Sequence, residues 1–88
     1  MKTEFLRKFS KDIDKIGEKR VLTSIAELIE SVEQAEVLFD IANIKKLKGH
    51  SNAYRIRLGD FRIGVFLQED TVVFARVVHR KDIYDVFP

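Results

Sequence analysis

At 88 residues, 45% of them hydrophobic and none in a low-complexity run, the chain has material for a single folded domain, residues 1–88, and too little for two. The lack of cysteine excludes disulfides, thiolate catalysis and cysteine-ligated zinc. The net charge of +2 hides an asymmetry, because residues 1–40 carry seven Lys/Arg against nine Asp/Glu and residues 41–88 carry nine against five.

The opening MKTEFLRKFSKDID does not resemble a signal peptide, and no apolar run approaches a membrane span, so a cytoplasmic protein without membrane contact is expected. Thr3 to Phe5 suits a short first strand. Leu6, Phe9, Ile13 and Ile16 recur at spacings of three and four, which predicts an amphipathic helix with Gly17 as its C-cap. A second helix is predicted from about Glu18, with Val21, Leu22, Ile25, Leu28, Ile29 and Val32 as its apolar stripe. Both stripes read as core faces. From Val37 to Asn52 periodicity lapses, and VLFDIANIKKLKGHSN reads as an irregular connection closing on a Gly49 turn.

Tyr54 to Leu58 and Phe61 to Val65 alternate with a period of two, the mark of half-buried strands. Glycine first in the Gly59-Asp60 link predicts a two-residue type II′ hairpin. That turn sets Leu58 opposite Phe61, Arg57 opposite Arg62, Ile56 opposite Ile63 and Arg55 opposite Gly64. Arg55, Arg57 and Arg62 then share one face, and the apolar residues share the other. Like charges directly opposite each other destabilise a sheet, so a compensating group is expected to approach, with Gly64 leaving room for it. After a turn at Gln68 to Thr71, TVVFARVVH makes a further strand. A two-residue turn at Glu69-Asp70 would pair Arg76 with Ile63, whereas one bulged residue would move it to the basic face. A structural ion pair, for instance with a helix glutamate, is its favoured role. The tail RKDIYDVF is short and at most helical, with Arg80 and Tyr84 one turn apart. The architecture expected is α+β: two N-terminal helices packed on one face of a strongly twisted, mainly antiparallel sheet, then a short C-terminal helix.

Inventory narrows the chemistry. There is no glycine-rich phosphate loop, no GxSxG and no HExxH, and the two histidines are too far apart to suggest a metal site. The acid pairs Asp12/Asp14 and Glu69/Asp70 fall on a polar helix face and in a turn, where solvation explains them. From Lys45 to Arg62, six Lys/Arg and His50 stand against Asp60 alone, the footprint of a surface for polyanions. Arginine suits phosphate, since its planar fork makes two-point contacts and its charge persists at physiological pH. RNA brings its own nucleophile, the 2′-hydroxyl. A protein that aligns it and neutralises the phosphate can cleave the chain without metal or cofactor.

These residues carry a resemblance across nearly the whole chain. KKLKGHSNAYRIRLGDFRIGVF, a valine-rich strand and VVHRKDIYDVFP resemble the RelE/ParE superfamily of toxins from bacterial toxin–antitoxin modules, nearer its RelE branch. The resemblance implies a ribosome-dependent mRNA endoribonuclease that leaves a cyclic 2′,3′-phosphate and a 5′-hydroxyl. It also implies a cognate antitoxin that wraps and neutralises the toxin. Carried over by position, it assigns the catalytic set to Arg55, Arg57, Arg62, His79, Arg80 and Tyr84, with Tyr84 stacking on a base. Lys45, Lys46, Lys48 and His50 are the candidates for contact with RNA or the ribosome. No cofactor or metal is implied. Arg55 and Arg57 stand where some members have lysines, and arginine is a poor general base, which leaves His79 as the best proton carrier. His79 also reads as a satisfied strand-end histidine, and Tyr84 as a residue packed under the sheet. Two other functions fit the composition: a ParE-like toxin that binds DNA gyrase, and a non-catalytic RNA-binding module.

Overall fold

A computed structural model describes residues 1–88. The order is β1 (Lys2–Phe5), α1 (Arg7–Lys15), α2 (Lys19–Gln34), a single 3-10 turn (Leu38–Asp40), β2 (Ile44–Lys46), β3 (Ala53–Leu58), β4 (Phe61–Gln68), β5 (Thr71–His79) and α3 (Ile83–Val86). The strands form one sheet in the order β1-β5-β4-β3-β2, parallel only between β1 and β5. This is the expected α+β architecture with a mainly antiparallel sheet. No helix is long and apolar enough to cross a membrane.

The period-two alternation of β3 and β4 sends Ile56, Ile63 and Val65 to the helix side, where they are fully buried with Val72, Phe74 and Val77 of β5. Helix α1 contributes Phe9 to this core, and α2 contributes Ile25 and Val32. Each such side chain stabilises the fold by about 1.5–3 kcal/mol through the apolar surface it removes from water. The Met1 amine donates to the carbonyl oxygens of Val32 (3.3 Å), Glu33 (2.8 Å) and Ala35 (2.7 Å). A cation thus sits where the dipole of α2 ends negative.

Three local expectations need correction. Helix α1 stops at Lys15 with Ile16 as its cap, and Gly17 has no positive φ, so it does not close the helix in the left-handed manner. The segment read as irregular contains an edge strand, β2, whose three residues are too few to display alternation. Asp12 is buried and not on a solvated face. Of the two registers the sequence left open for β5, the structure has the bulged one: Val65 pairs with Phe74 but Gly64 pairs with Arg76, so Ala75 is the extra residue.

The bulge determines what happens to Arg76. Its Nε donates to Asp12 Oδ2 at 2.7 Å and its Nη2 to Asp12 Oδ1 at 3.0 Å, while the backbone N–H of Val77 donates to Asp12 Oδ2 at 3.0 Å. β1 pairs β5 only as far as Phe74, so beyond that point α1 lies along the strand and a carboxylate serves its free edge. The expected ion pair therefore exists, with an aspartate and not a glutamate. The hydrogen bond and charge of Asp12 raise the pKa of Arg76 against the opposing effect of burial.

The sheet's opposite face is divided. Leu47, Ala53, Ala75, Ile83 and Phe87 form a second, smaller core there, with Phe66 packed against it. The tail passes close over Gly64, where a Cβ would come within 2.5 Å of the Phe87 ring. The room predicted beside Arg55 is thus filled by an apolar ring. The rest of that face holds the arginines.

Candidate active site on the arginine face

The hairpin forms as its turn chemistry dictates. Gly59 has φ +57 and Asp60 has no positive φ, in keeping with type II′, and the four predicted pairs from Leu58↔Phe61 to Arg55↔Gly64 are all present. Arg55, Arg57 and Arg62 therefore project from one face. Lys45, opposite Arg55 across the β2–β3 ladder, extends the basic row toward the sheet edge. Lys46 pairs with Tyr54 and belongs to the other face, and Lys48 and His50 are exposed in the connection before β3.

Arg80 reaches the same face through the backbone. Its N–H donates to the Asp60 carbonyl at 2.8 Å, tying the start of the tail to the hairpin tip. Tyr84, in the single turn of α3, is 65% exposed, which rules out packing beneath the sheet. The Arg62 guanidinium is held below its ordinary pKa, first by partial burial and then by the charges of Arg55, Arg57 and Arg80, while Tyr84 acts in the opposite sense. Four of the other five residues assigned by resemblance to the catalytic set thus lie within electrostatic reach of Arg62.

The compensation expected for three like charges comes from neutral oxygens. Arg62 Nη1 donates to the carbonyls of Gly59 (2.7 Å) and Phe61 (2.9 Å). Asn43 accepts from Arg55 Nη1 through its carbonyl (3.3 Å) and from Arg57 Nη2 through its side-chain oxygen (3.1 Å). The protein's two ion pairs are Lys2–Asp70 and Arg76–Asp12, so none of the four arginines of this face is paired with a carboxylate. Charge is oriented here without being cancelled, as a phosphate-binding surface requires. Asn43 was missed in the sequence, where its one signal was an asparagine, a residue tolerant of positive φ, just before the lysines.

His79 is the exception. The bulge shifts β5 by one residue, so His79 pairs with Phe61, whose ring lies against the helix-side core, with ring centroids 6.1 Å apart. Its imidazole therefore belongs to the side opposite the Arg57–Arg62–Val78 row. It lines a cleft of about 500 Å³ together with Asp12, Glu18, Phe61 and Asp82. Its Nδ1 accepts the N–H of Lys81 at 3.2 Å, which places the proton of the neutral ring on Nε2 and occupies the lone pair that a base would use. This geometry fits the reading of a satisfied strand-end histidine. Nowhere do three His, Asp or Glu side chains converge to hold a metal ion.

Comparison with known proteins gives one family. Residues 3–84 match the family described as ParE toxin of type II toxin-antitoxin system, parDE. The chain is 43% identical over 89 residues to Toxin RelE3 of Methanocaldococcus jannaschii, covering 100% of both. It is 34% identical over 62 residues, 69% of each chain, to that organism's Putative toxin RelE1. Among solved structures it is similar to the RelB-RelE antitoxin-toxin complex from Methanococcus jannaschii, with a TM-score of 0.82 and 40% identity over 97% of this chain and 99% of that one. The archaeal RelE-RelB complex from Pyrococcus horikoshii, at a TM-score of 0.75 and 19% identity over 93% of this chain and 97% of that one, shares the fold. The chain therefore belongs to the RelE/ParE family of type II toxin–antitoxin toxins, and within that family it is RelE-like.

Proposed function

We propose that the protein cuts mRNA on the ribosome as a metal-independent endoribonuclease, arresting translation in the cytoplasm until a cognate antitoxin neutralises it. The observation that carries this reading is the gathering of Arg55, Arg57, Arg80 and Tyr84 within electrostatic reach of Arg62, with none of the four arginines paired to a carboxylate. The names of the relatives, and the pairing of one with RelB, support it.

In the reaction the ribose 2′-oxygen attacks the adjacent phosphorus. One P–O bond forms as the P–O5′ bond breaks, and O5′ leaves with the electron pair and takes up a proton. The 2′-hydroxyl proton passes to water or to a group that the ribosome presents, because arginine does not serve as a base. Arg62, kept over the hairpin by two carbonyls, and Arg55 and Arg57, fixed at Asn43, stabilise charge that builds on the non-bridging oxygens. The exposed Tyr84 ring offers a stacking platform that holds one base and so aligns the 2′-oxygen.

Purified protein added to mRNA-programmed ribosomes should give discrete primer-extension stops, with fragments ending in a 2′,3′-cyclic phosphate. Intact message under these conditions, together with inhibition of gyrase supercoiling, would transfer the protein to the ParE-like reading. The family description gives that second reading its support.

A further inference from the structure

Asn43 stands one residue ahead of β2 with φ +64, a conformation that asparagine tolerates and most residues do not. Its carbonyl accepts two donors, the backbone N–H of Arg57 at 3.1 Å and Arg55 Nη1 at 3.3 Å. Its side-chain oxygen accepts Arg57 Nη2 at 3.1 Å. One residue at the edge of the sheet therefore supplies the hydrogen bonds found for both β3 guanidiniums.

Arg55 and Arg57 are near neighbours of like sign on one face, and each guanidinium rides on a long side chain with many rotamers open to it. Left to themselves, the two would splay apart and sample many directions. A carboxylate at the edge would hold them but neutralise one. Amide oxygens hold them and leave both charges free to meet an anion.

We propose that Asn43 is a positioning residue that aims Arg55 and Arg57 at the scissile phosphate, an inference that rests on the reading of the arginine face as the site of RNA cleavage. The positive φ at Asn43 makes the side-chain contribution separable from the backbone one. Glycine adopts this φ at no steric cost, so Asn43→Gly retains the carbonyl contacts and removes only the bond to Arg57. Asn43→Asp keeps an oxygen at the same place and adds a charge beside Arg57.

The test is single-turnover cleavage on programmed ribosomes, with thermal melts of the same samples. Asn43→Gly should cleave on the order of tenfold more slowly at saturating ribosome, with half-saturation and melting temperature unchanged, as loss of orientation alone requires. Asn43→Asp should instead raise the half-saturating concentration, because its carboxylate competes with phosphate for Arg57. An Asn43→Gly protein that cuts at the wild-type rate, or that slows only in step with a lowered melting temperature, would overturn the positioning role while leaving the ribonuclease reading intact. A wild-type protein that fails to cut would overturn both.

Discussion

Asp12 and Arg76 form a two-point ion pair between the first helix and the last strand, and the same Asp12 oxygen that meets Arg76 Nε also takes the Val77 backbone N–H. Both side chains are largely enclosed, at 5% and 19% exposure. Asp12→Ala would leave a guanidinium and a strand N–H unpaired together. We expect it to cost about 3 kcal/mol in chemical denaturation, in the range for breaking a buried pair from one side. Asp14→Ala, which removes an exposed carboxylate two residues further along α1, should stay within about 0.5 kcal/mol.

Arg62 should behave in the opposite way. Its folded pKa is lowered, so its charge opposes folding at every pH below that pKa, and this includes the whole physiological range. Arg62→Ala should leave the melting temperature unchanged or slightly raised while reducing cleavage at least about 100-fold, the scale on which oriented transition-state donors act. Inducible expression in a host reads toxicity directly: growth arrest undiminished by this change would remove Arg62 from the site. Lys15→Ala, on the exposed side of α1, should remain fully toxic.

Gly64→Ala tests the tail. With its Cβ 2.5 Å from the Phe87 ring, the variant must displace that ring, and α3 carries Tyr84 three residues before it. A destabilisation of about 1–3 kcal/mol is expected from the overpacking. Cleavage should fall as well, although no arginine has been touched. Adding Phe87→Leu should recover part of the stability, and a double variant no more stable than Gly64→Ala would show that the ring is not the obstacle.

For His79 the geometry predicts tolerance. His79→Asn retains a side-chain acceptor near the Nδ1 position that receives the Lys81 N–H, so it should cleave within about threefold of wild type and keep the same pH–rate profile. A lost or reshaped pH dependence in this variant would return His79 to the chemistry.

The hairpin was legible because its constraints are local: a glycine that supplies positive φ fixes the turn, the turn fixes the register, and the register puts three arginines on one face. The position of His79 was not legible, since it depends on one extra residue at Ala75. Without that residue the two-residue turn at Glu69-Asp70 would have left His79 on the arginine side. Asp12 stayed hidden for a related reason. It lies among lysines in KDIDK, and only the free edge of β5, a product of where β1 stops, gives it a buried partner. β2 is too short to announce itself, and with it went Asn43, whose role depends on where that strand begins.

The arginine face is held in place by carbonyl and amide oxygens, and this ties potency to vulnerability. Repulsion among Arg55, Arg57, Arg62 and Arg80 is relieved by any anion laid over them, whether a message phosphate or the acidic side chains of an inhibitory polypeptide. If the face binds RNA as proposed, a variant that escaped such an inhibitor by shedding charge here would also surrender its grip on the message. The same atoms would be weapon and handle, so an antidote directed at this face could be evaded only by disarmament.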